Sequence, residues 1–101
     1  MKPKYLEPSD YRRLKDYCSN KCINIVFEQQ DKENNEKSEL RGKYKGYLYG
    51  MKLFSGLLRM EQRVMNYEIY NHLKQHRIHG TTLWGEDKAL HDFMNLLCEE
   101  F

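Results

Sequence analysis

Hydrophobic residues recur at steps of three and four positions along the middle of this chain. At roughly 100° per residue in an α-helix, they project from one face between about Ser38 and His76. The members of this face are Leu40, Tyr44, Tyr47, Leu48, Met51, Phe54, Leu58, Met65, Ile69 and Leu73. A period sustained over so many turns predicts one long central amphipathic helix, from about residue 38 to residue 76.

A second amphipathic pattern precedes this central helix. Steps of three and four again define one face, and they predict a first helix from about residue 9 to residue 30. Ile23 and Phe27 lie off that face, and the β-branched residues in this stretch leave a short strand at Cys22–Glu28 as the alternative. The predicted buried face comprises Tyr11, Leu14, Tyr17, Cys18, Cys22, Ile25 and Val26.

A third pattern predicts a short last helix at about residues 86–100, and together the three patterns predict an all-α protein. We expect a single helical domain over residues 1–101, with the central helix antiparallel to both shorter helices. A helix of residues 38–76 is roughly 57 Å long at 1.5 Å per residue. The alternative is a break near Gly50 or Gly56, which would give a compact four-helix bundle; glycine costs about 1 kcal/mol in a helix interior.

Charge is unevenly distributed, although the net charge is only +2. Residues 40–79 hold eight Lys and Arg against two acids, whereas residues 80–101 hold one against five. No apolar run approaches the length of a membrane span, and the first residues lack the apolar region of a signal peptide. Three cysteines at irregular spacing make no disulfide framework, so we expect reduced thiols and a cytoplasmic protein.

A stripe of basic residues follows the central helix beside its apolar face. Positive side chains with a neighbouring tyrosine can bind phosphates and stack on bases, which favours a nucleic-acid or nucleotide site. The same stripe can instead bind an acidic protein or pair with the chain's own acidic blocks. The predicted partner- or phosphate-binding residues are Arg41, Lys45, Tyr49, Lys52, Arg59 and Arg63, with Lys74 and Arg77 continuing the stripe.

Glycines at four-residue spacing lie on another side of the central helix, followed by apolar residues in the same direction. A stripe without side chains lets a second helix approach closely. Since two short helices give thin cover to so long an apolar surface, we expect a homodimer or higher oligomer. Local weakening of the helix, or accommodation of the first helix, is the alternative. The predicted self-association residues are Gly42, Gly46, Gly50, Leu53, Leu57 and Val64.

Metal binding and catalysis find little support in the sequence. Cys18 and Cys22 are one turn apart, as are His72 and His76, but an antiparallel hairpin places the thiols level with about Gly50 and Tyr47, far from the histidines. His91 with Asp92 and the acids Glu86 and Asp87 form the strongest titratable cluster, on a short helix beside solvent. We expect no catalytic residues, no metal and no cofactor.

The sequence therefore predicts a small non-enzymatic interaction or regulatory protein. We expect it to self-associate and to bind or inhibit a larger macromolecular partner, with a protein favoured and no membrane involved. A nucleic-acid or nucleotide-binding module using the basic stripe is the alternative. The abundance of Lys, Tyr and Asn resembles that of small accessory proteins from AT-rich bacterial or phage genomes.

Overall fold

Four α-helices make up most of the chain that the structure describes. The structure is a computed structural model and describes residues 2–31, 33–79 and 85–101. The helices are α1 (Pro8–Glu28), α2 (Asn34–Arg59), α3 (Asn66–His79) and α4 (Glu86–Glu100), and a short 3-10 turn, Gln29–Asp31, follows α1. The all-α prediction is confirmed, and α1 and α4 lie within two residues of their predicted bounds.

The single central helix predicted for residues 38–76 is wrong. Two helices replace it: α2 begins four residues earlier than expected, at Asn34, and ends at Arg59, and α3 begins at Asn66. The longest dimension of the molecule is 42 Å, which leaves no room for a helix of roughly 57 Å. The alternative of a broken helix is confirmed, but the break lies beyond Gly50 and Gly56.

Backbone hydrogen bonds to the N-terminal segment replace helical ones at this break. The chain turns at Glu61, which has a left-handed φ of 54°. The Leu6 N–H then donates to the Val64 carbonyl at 2.9 Å. The Val64 N–H donates to the hydroxyl of Tyr11 at 3.1 Å. Since both polar backbone groups of Val64 are satisfied outside a helix, the extended conformation carries no hydrogen-bonding penalty.

A fully buried asparagine, Asn66, joins the two ends of the chain to the start of α3. Its Nδ2 donates to the main-chain oxygens of Lys2 at 2.7 Å and Phe101 at 2.9 Å. Its Oδ1 accepts from the N–H of Lys4 at 3.2 Å and of Tyr67 at 2.8 Å. Both protons of the side-chain amide therefore have an acceptor, as burial of a polar group requires.

The helices alternate in direction along the bundle. α1 and α2 are antiparallel, since Cys22 meets the backbone of Tyr44 while Cys18, one turn earlier, meets Gly50. α4 instead runs in the same direction as α2: Lys88 binds Glu39 near their starts, and Phe93 lies against Gly50 further along. The last helix therefore covers the first half of the predicted central helix, and its expected antiparallel direction is corrected.

The core lies between α1, α2 and α4, and α2 packs against both of the other two helices. Its fully buried side chains come from all four helices and from the N-terminal segment. Within the parts of the chain that the structure describes, no helix is both long and apolar enough to span a membrane. The largest buried side chains include Leu6, Tyr11, Leu14, Phe54, Leu73, Leu90, Phe93 and Leu97.

Candidate protein-interaction surface

The predicted basic stripe is present along α2, but the residues predicted to continue it lie in other elements. Arg41, Lys45, Lys52 and Arg59 are exposed, and their directions on an ideal helix agree within about 40°. Arg63 leaves the stripe because it lies in the loop after α2, where its guanidinium donates to the carboxylate of Glu7. Lys74 and Arg77 belong to α3.

One carboxylate in each acidic block, Glu39 and Glu100, pairs with a cation outside the stripe. Glu39 accepts a hydrogen bond from Lys88 at 2.6 Å, which holds the pKa of that carboxyl below its usual range. Glu100 lies 3.5 Å from Arg13. Among the described residues, the four stripe residues on α2 form no ion pair. Their charge is therefore available to a partner.

Tyr49 is engaged within the fold and is not a free platform for a base. Its ring stacks on His76 with the centroids 4.2 Å apart, and its hydroxyl lies 2.8 Å from Nε2 of His72. A shallow pocket of about 270 Å³ beside this stack is also lined by Lys45, Lys52 and the buried carboxylate of Glu86. A phosphate in that pocket would meet a carboxylate as well as two ammonium groups, which weakens the case for a nucleotide site.

Two glycines of the stripe, Gly46 and Gly50, face other helices of the same chain, which corrects their assignment to a contact between copies. A Cβ on Gly46 would lie 2.7 Å from the Cβ of Ala89, and one on Gly50 would lie 2.9 Å from Sγ of Cys18. Gly42 is buried as well. The glycines thus let α2 approach α4 and α1, so the alternative of accommodating α1 accounts for part of the arrangement.

The apolar residues that continue this stripe, Leu53, Leu57 and Val64, are half-buried. They line a shallow groove of about 190 Å³ together with Ile69 and His72 of α3. The break after α2 folds α3 back beside them, so less apolar surface remains than a continuous helix would expose. Self-association through these three residues stays a prediction, confined to the open side of this groove.

The thiols and histidines lie at different places in the bundle. Cys18 is level with Gly50, as the antiparallel register predicted, while Cys22 lies one turn from the predicted Tyr47 and contacts the carbonyl of Tyr44. Burial, with smaller contributions from Cys22 and Asp92, raises the pKa of Cys18 to about 12, so this thiol stays protonated and unreactive at neutral pH. Within the described residues, no three potential ligands lie close enough to hold a metal ion.

The titratable cluster on α4 is occupied by structural hydrogen bonds. Asp92 accepts from the hydroxyls of Tyr17 and Tyr47, each at 2.6 Å. Burial, followed by these bonds to a carboxylate, raises the pKa of both tyrosines. Arg77 clamps the carboxylate of Asp87 with two bonds of 2.6 and 3.0 Å and so lowers its pKa. These groups hold α4 against α1, α2 and α3.

An exposed apolar patch on α1 lies outside the sequence-predicted site residues, and the packing of the helices does not account for its exposure. Ile23 and Val26 are each 51% exposed and Phe27 is 67% exposed. We call these three residues the α1 patch. The prediction that Val26 belongs to the buried face is wrong, because Cys22 and Ile25 fill the contact with α2. The available signal was that Ile23 and Phe27, one turn apart, both fell outside the core face.

A groove between α1 and α2 connects the α1 patch to the basic stripe. It is about 290 Å³ in volume and is lined by Val26, Gln29, Arg41 and Tyr44. Lys45 follows Arg41 by one turn and is also exposed. The α1 patch, this groove and the cations of Arg41 and Lys45, which form no ion pair within the described part of the chain, are therefore neighbours along α1 and α2. We call them together the docking surface.

The chain was compared with protein-family models, with curated proteins and with solved structures, and none of the three comparisons found a match.

Proposed function

We propose that the protein is a non-enzymatic, cytoplasmic interaction protein that binds, and thereby regulates or inhibits, another protein through the docking surface. The observation that carries this proposal is the α1 patch. Three large apolar side chains at positions i, i+3 and i+4 form one contiguous area, and each is more than half exposed. Contiguous apolar areas rimmed by polar residues are typical of protein interfaces, whereas isolated ones need no explanation.

The position of the patch supports a role in binding rather than in folding. Its neighbours Cys22 and Ile25 already fill the contact between α1 and α2. Phe27, the most exposed of the three, contributes nothing to the core in this structure. Aromatic side chains of this kind provide large contact area at low entropic cost and are enriched at the energetic centres of interfaces.

The experiment compares proteins retained from a nuclease-treated lysate of the native host by the wild type and by two variants. Phe27→Glu places a charge in the α1 patch, and Gln75→Glu places the same charge on an exposed position of α3. We expect a small set of proteins on the wild type and on Gln75→Glu that is lost on Phe27→Glu. An identical set on Phe27→Glu, or no enrichment above a blank support, would contradict the proposal.

A nucleic-acid or nucleotide-binding function is the second candidate. It is favoured by the four exposed cations of α2, for which the described residues provide no ion pair. Binding to phosphates through Arg41, Lys45, Lys52 and Arg59 would weaken steeply as salt rises. Reversal of charge at Lys45 and Lys52 would reduce that salt dependence by about one unit of slope for each lost contact. Micromolar binding of a short oligonucleotide at physiological salt would favour this candidate over the first.

A further inference from the structure

We infer that the segment that occupies the docking surface is an amphipathic helix with acidic residues along one edge. This inference rests on the proposed function and adds the chemical class of the partner. It depends on the shape of the docking surface and on the distribution of charge around it.

The shape suits a helix. Ile23, Val26 and Phe27 form a ridge at the spacing of one helix face, and the groove of about 290 Å³ runs beside that ridge. A cavity of about 150 Å³ already holds a benzene molecule, so this opening can accept one large apolar side chain. Packing of a partner's side chains between a ridge and a groove is the usual geometry of helix contacts.

The charge around the patch differs between its two edges. On the α2 edge, Arg41 lines the groove beside Val26, and Lys45 lies one turn further along α2, where it also lines the pocket beside Tyr49. Both are exposed and form no ion pair among the described residues. On the opposite edge, an ideal helix places Asn20 and Asn24 of α1 next to Phe27, and both are exposed and uncharged. A partner helix across the patch therefore meets positive charge along one side only.

Partners of other chemistry satisfy only part of this surface. A phosphate backbone would neutralise Arg41 and Lys45 but would leave Ile23 and Phe27 in contact with water. A wholly apolar helix would cover the patch but would remove water from two cations without pairing them, which is unfavourable. An acidic amphipathic helix covers the apolar area and pairs the cations at its rim, where such pairs add specificity and speed of association.

The test selects binders from a displayed library of helical peptides of about 15 to 20 residues. Leucine is fixed at positions i, i+3, i+4 and i+7, and the flanking positions vary among Glu, Lys, Gln and Ser. We expect wild-type protein to enrich Glu on one flank, and the Arg41→Glu/Lys45→Glu variant to enrich Lys there. Lys74→Glu, an exposed change on α3, is the matched control and should keep the preference for Glu.

The outcomes separate the class of partner from the proposed function. The charge-reversed variant should bind the selected acidic peptides about threefold to tenfold more weakly than wild type, with the loss shrinking as salt rises. Clones that require Phe27 but show no charge preference would overturn the acidic class and leave the docking surface in place. Clones that bind Phe27→Glu equally well, or no binding clones, would overturn the proposed function itself. A dimer of the protein abolished by Phe27→Glu would assign the patch to a second copy and overturn the inference.

Discussion

A methyl group on Gly46 would lie 2.7 Å from the Cβ of Ala89 and 2.8 Å from the carbonyl oxygen of Glu86. This closeness lets α2 and α4 touch although they run in the same direction, as diagonal helices of an up-down bundle do. Gly50 repeats the arrangement one turn later against Phe93, where an added Cβ would lie 2.9 Å from the ring. The absence of side chains on this side of α2 is thus a requirement of the fold.

Gly46→Ala should therefore destabilise the protein, because the added methyl forces α4 away from α2. Overpacking of this kind costs about 1 to 3 kcal/mol. Because the clash includes the rigid backbone of Glu86, we expect a cost above the gain of about 1 kcal/mol in helix propensity. Gly56→Ala is the matched control, since a Cβ there meets no atom within 4 Å. Urea unfolding followed by circular dichroism should show a lower free energy of unfolding for the first variant and an equal or higher one for the second.

Asn66→Ala should be among the most damaging single substitutions in the chain. It removes four hydrogen bonds and leaves the main-chain oxygens of Lys2 and Phe101 without their partner. Only the bond to Phe101 is fully buried, and an unsatisfied buried group there costs about 1 to 3 kcal/mol. Asn71→Ala, on the exposed side of α3, is the control and should change the unfolding free energy little. Equal stability of the two variants would show that the network around Asn66 contributes little.

The hydrophobic period was sufficient to predict the helical class and the bounds of α1 and α4. It could not place the break after α2, because the pattern of apolar residues continues through Val64 and Met65 and contains no proline or glycine there. The break depends on partners that are distant in sequence: Leu6 and Tyr11 bind the backbone of Val64, and Lys2 binds the side chain of Asn66 where α3 begins. Local propensity carries no information about such contacts.

The candidate site was predictable only in part. The exposure of Arg41, Lys45, Lys52 and Arg59 followed from helical geometry, and the structure confirms it. The engagement of Tyr49 with His72 and His76 depends on how α3 folds back, which a continuous helix would have prevented. The sequence pattern already placed Ile23 and Phe27 of the α1 patch outside the core face. It did not predict that Val26 is exposed as well, because that depends on Cys22 and Ile25 filling the contact with α2.

Alkaline unfolding should depend on the pair of tyrosines that bind Asp92. Their folded-state pKa values are raised, so the stability that their neutral form contributes is fully present below about pH 10, the unfolded value. As the pH rises above that value, the unfolded state loses protons that the folded state retains, and stability falls. Tyr17 and Tyr47 should therefore ionise only as the protein unfolds. In an alkaline titration, the ultraviolet absorbance of their tyrosinate forms should rise over the same pH range in which the helical circular dichroism signal is lost.

Tyr47→Phe tests the same hydrogen bond at neutral pH. The variant should lower the unfolding free energy by about 1.5 to 3 kcal/mol, the range for a bond to a charged acceptor. It should also weaken the dependence of stability on pH in the alkaline range. Tyr67→Phe, at an exposed position of α3, serves as control. An unchanged alkaline transition in Tyr47→Phe would contradict this role.

Self-association is predicted to use the open side of the groove formed by Leu53, Leu57 and Val64. If it does, sedimentation velocity at tens of micromolar should show a dimer or higher oligomer for the wild type and a monomer for Leu57→Glu. Circular dichroism of the variant checks that its helix content is preserved. A wild-type monomer at these concentrations would refute self-association, and an oligomer that resists the substitution would locate it elsewhere.

Site-specific photo-crosslinking from position 27 in living cells of the native host shows whether the α1 patch contacts another protein. A photoreactive phenylalanine analogue replaces Phe27 with little change in shape, and the same analogue at exposed Gln75 of α3 is the control. We expect position 27 to give a crosslinked product with a different protein. The product should be absent from position 75 and lost when Ile23→Asp is added. Absence of any product from position 27, or identical products from both positions, would contradict a docking surface on α1.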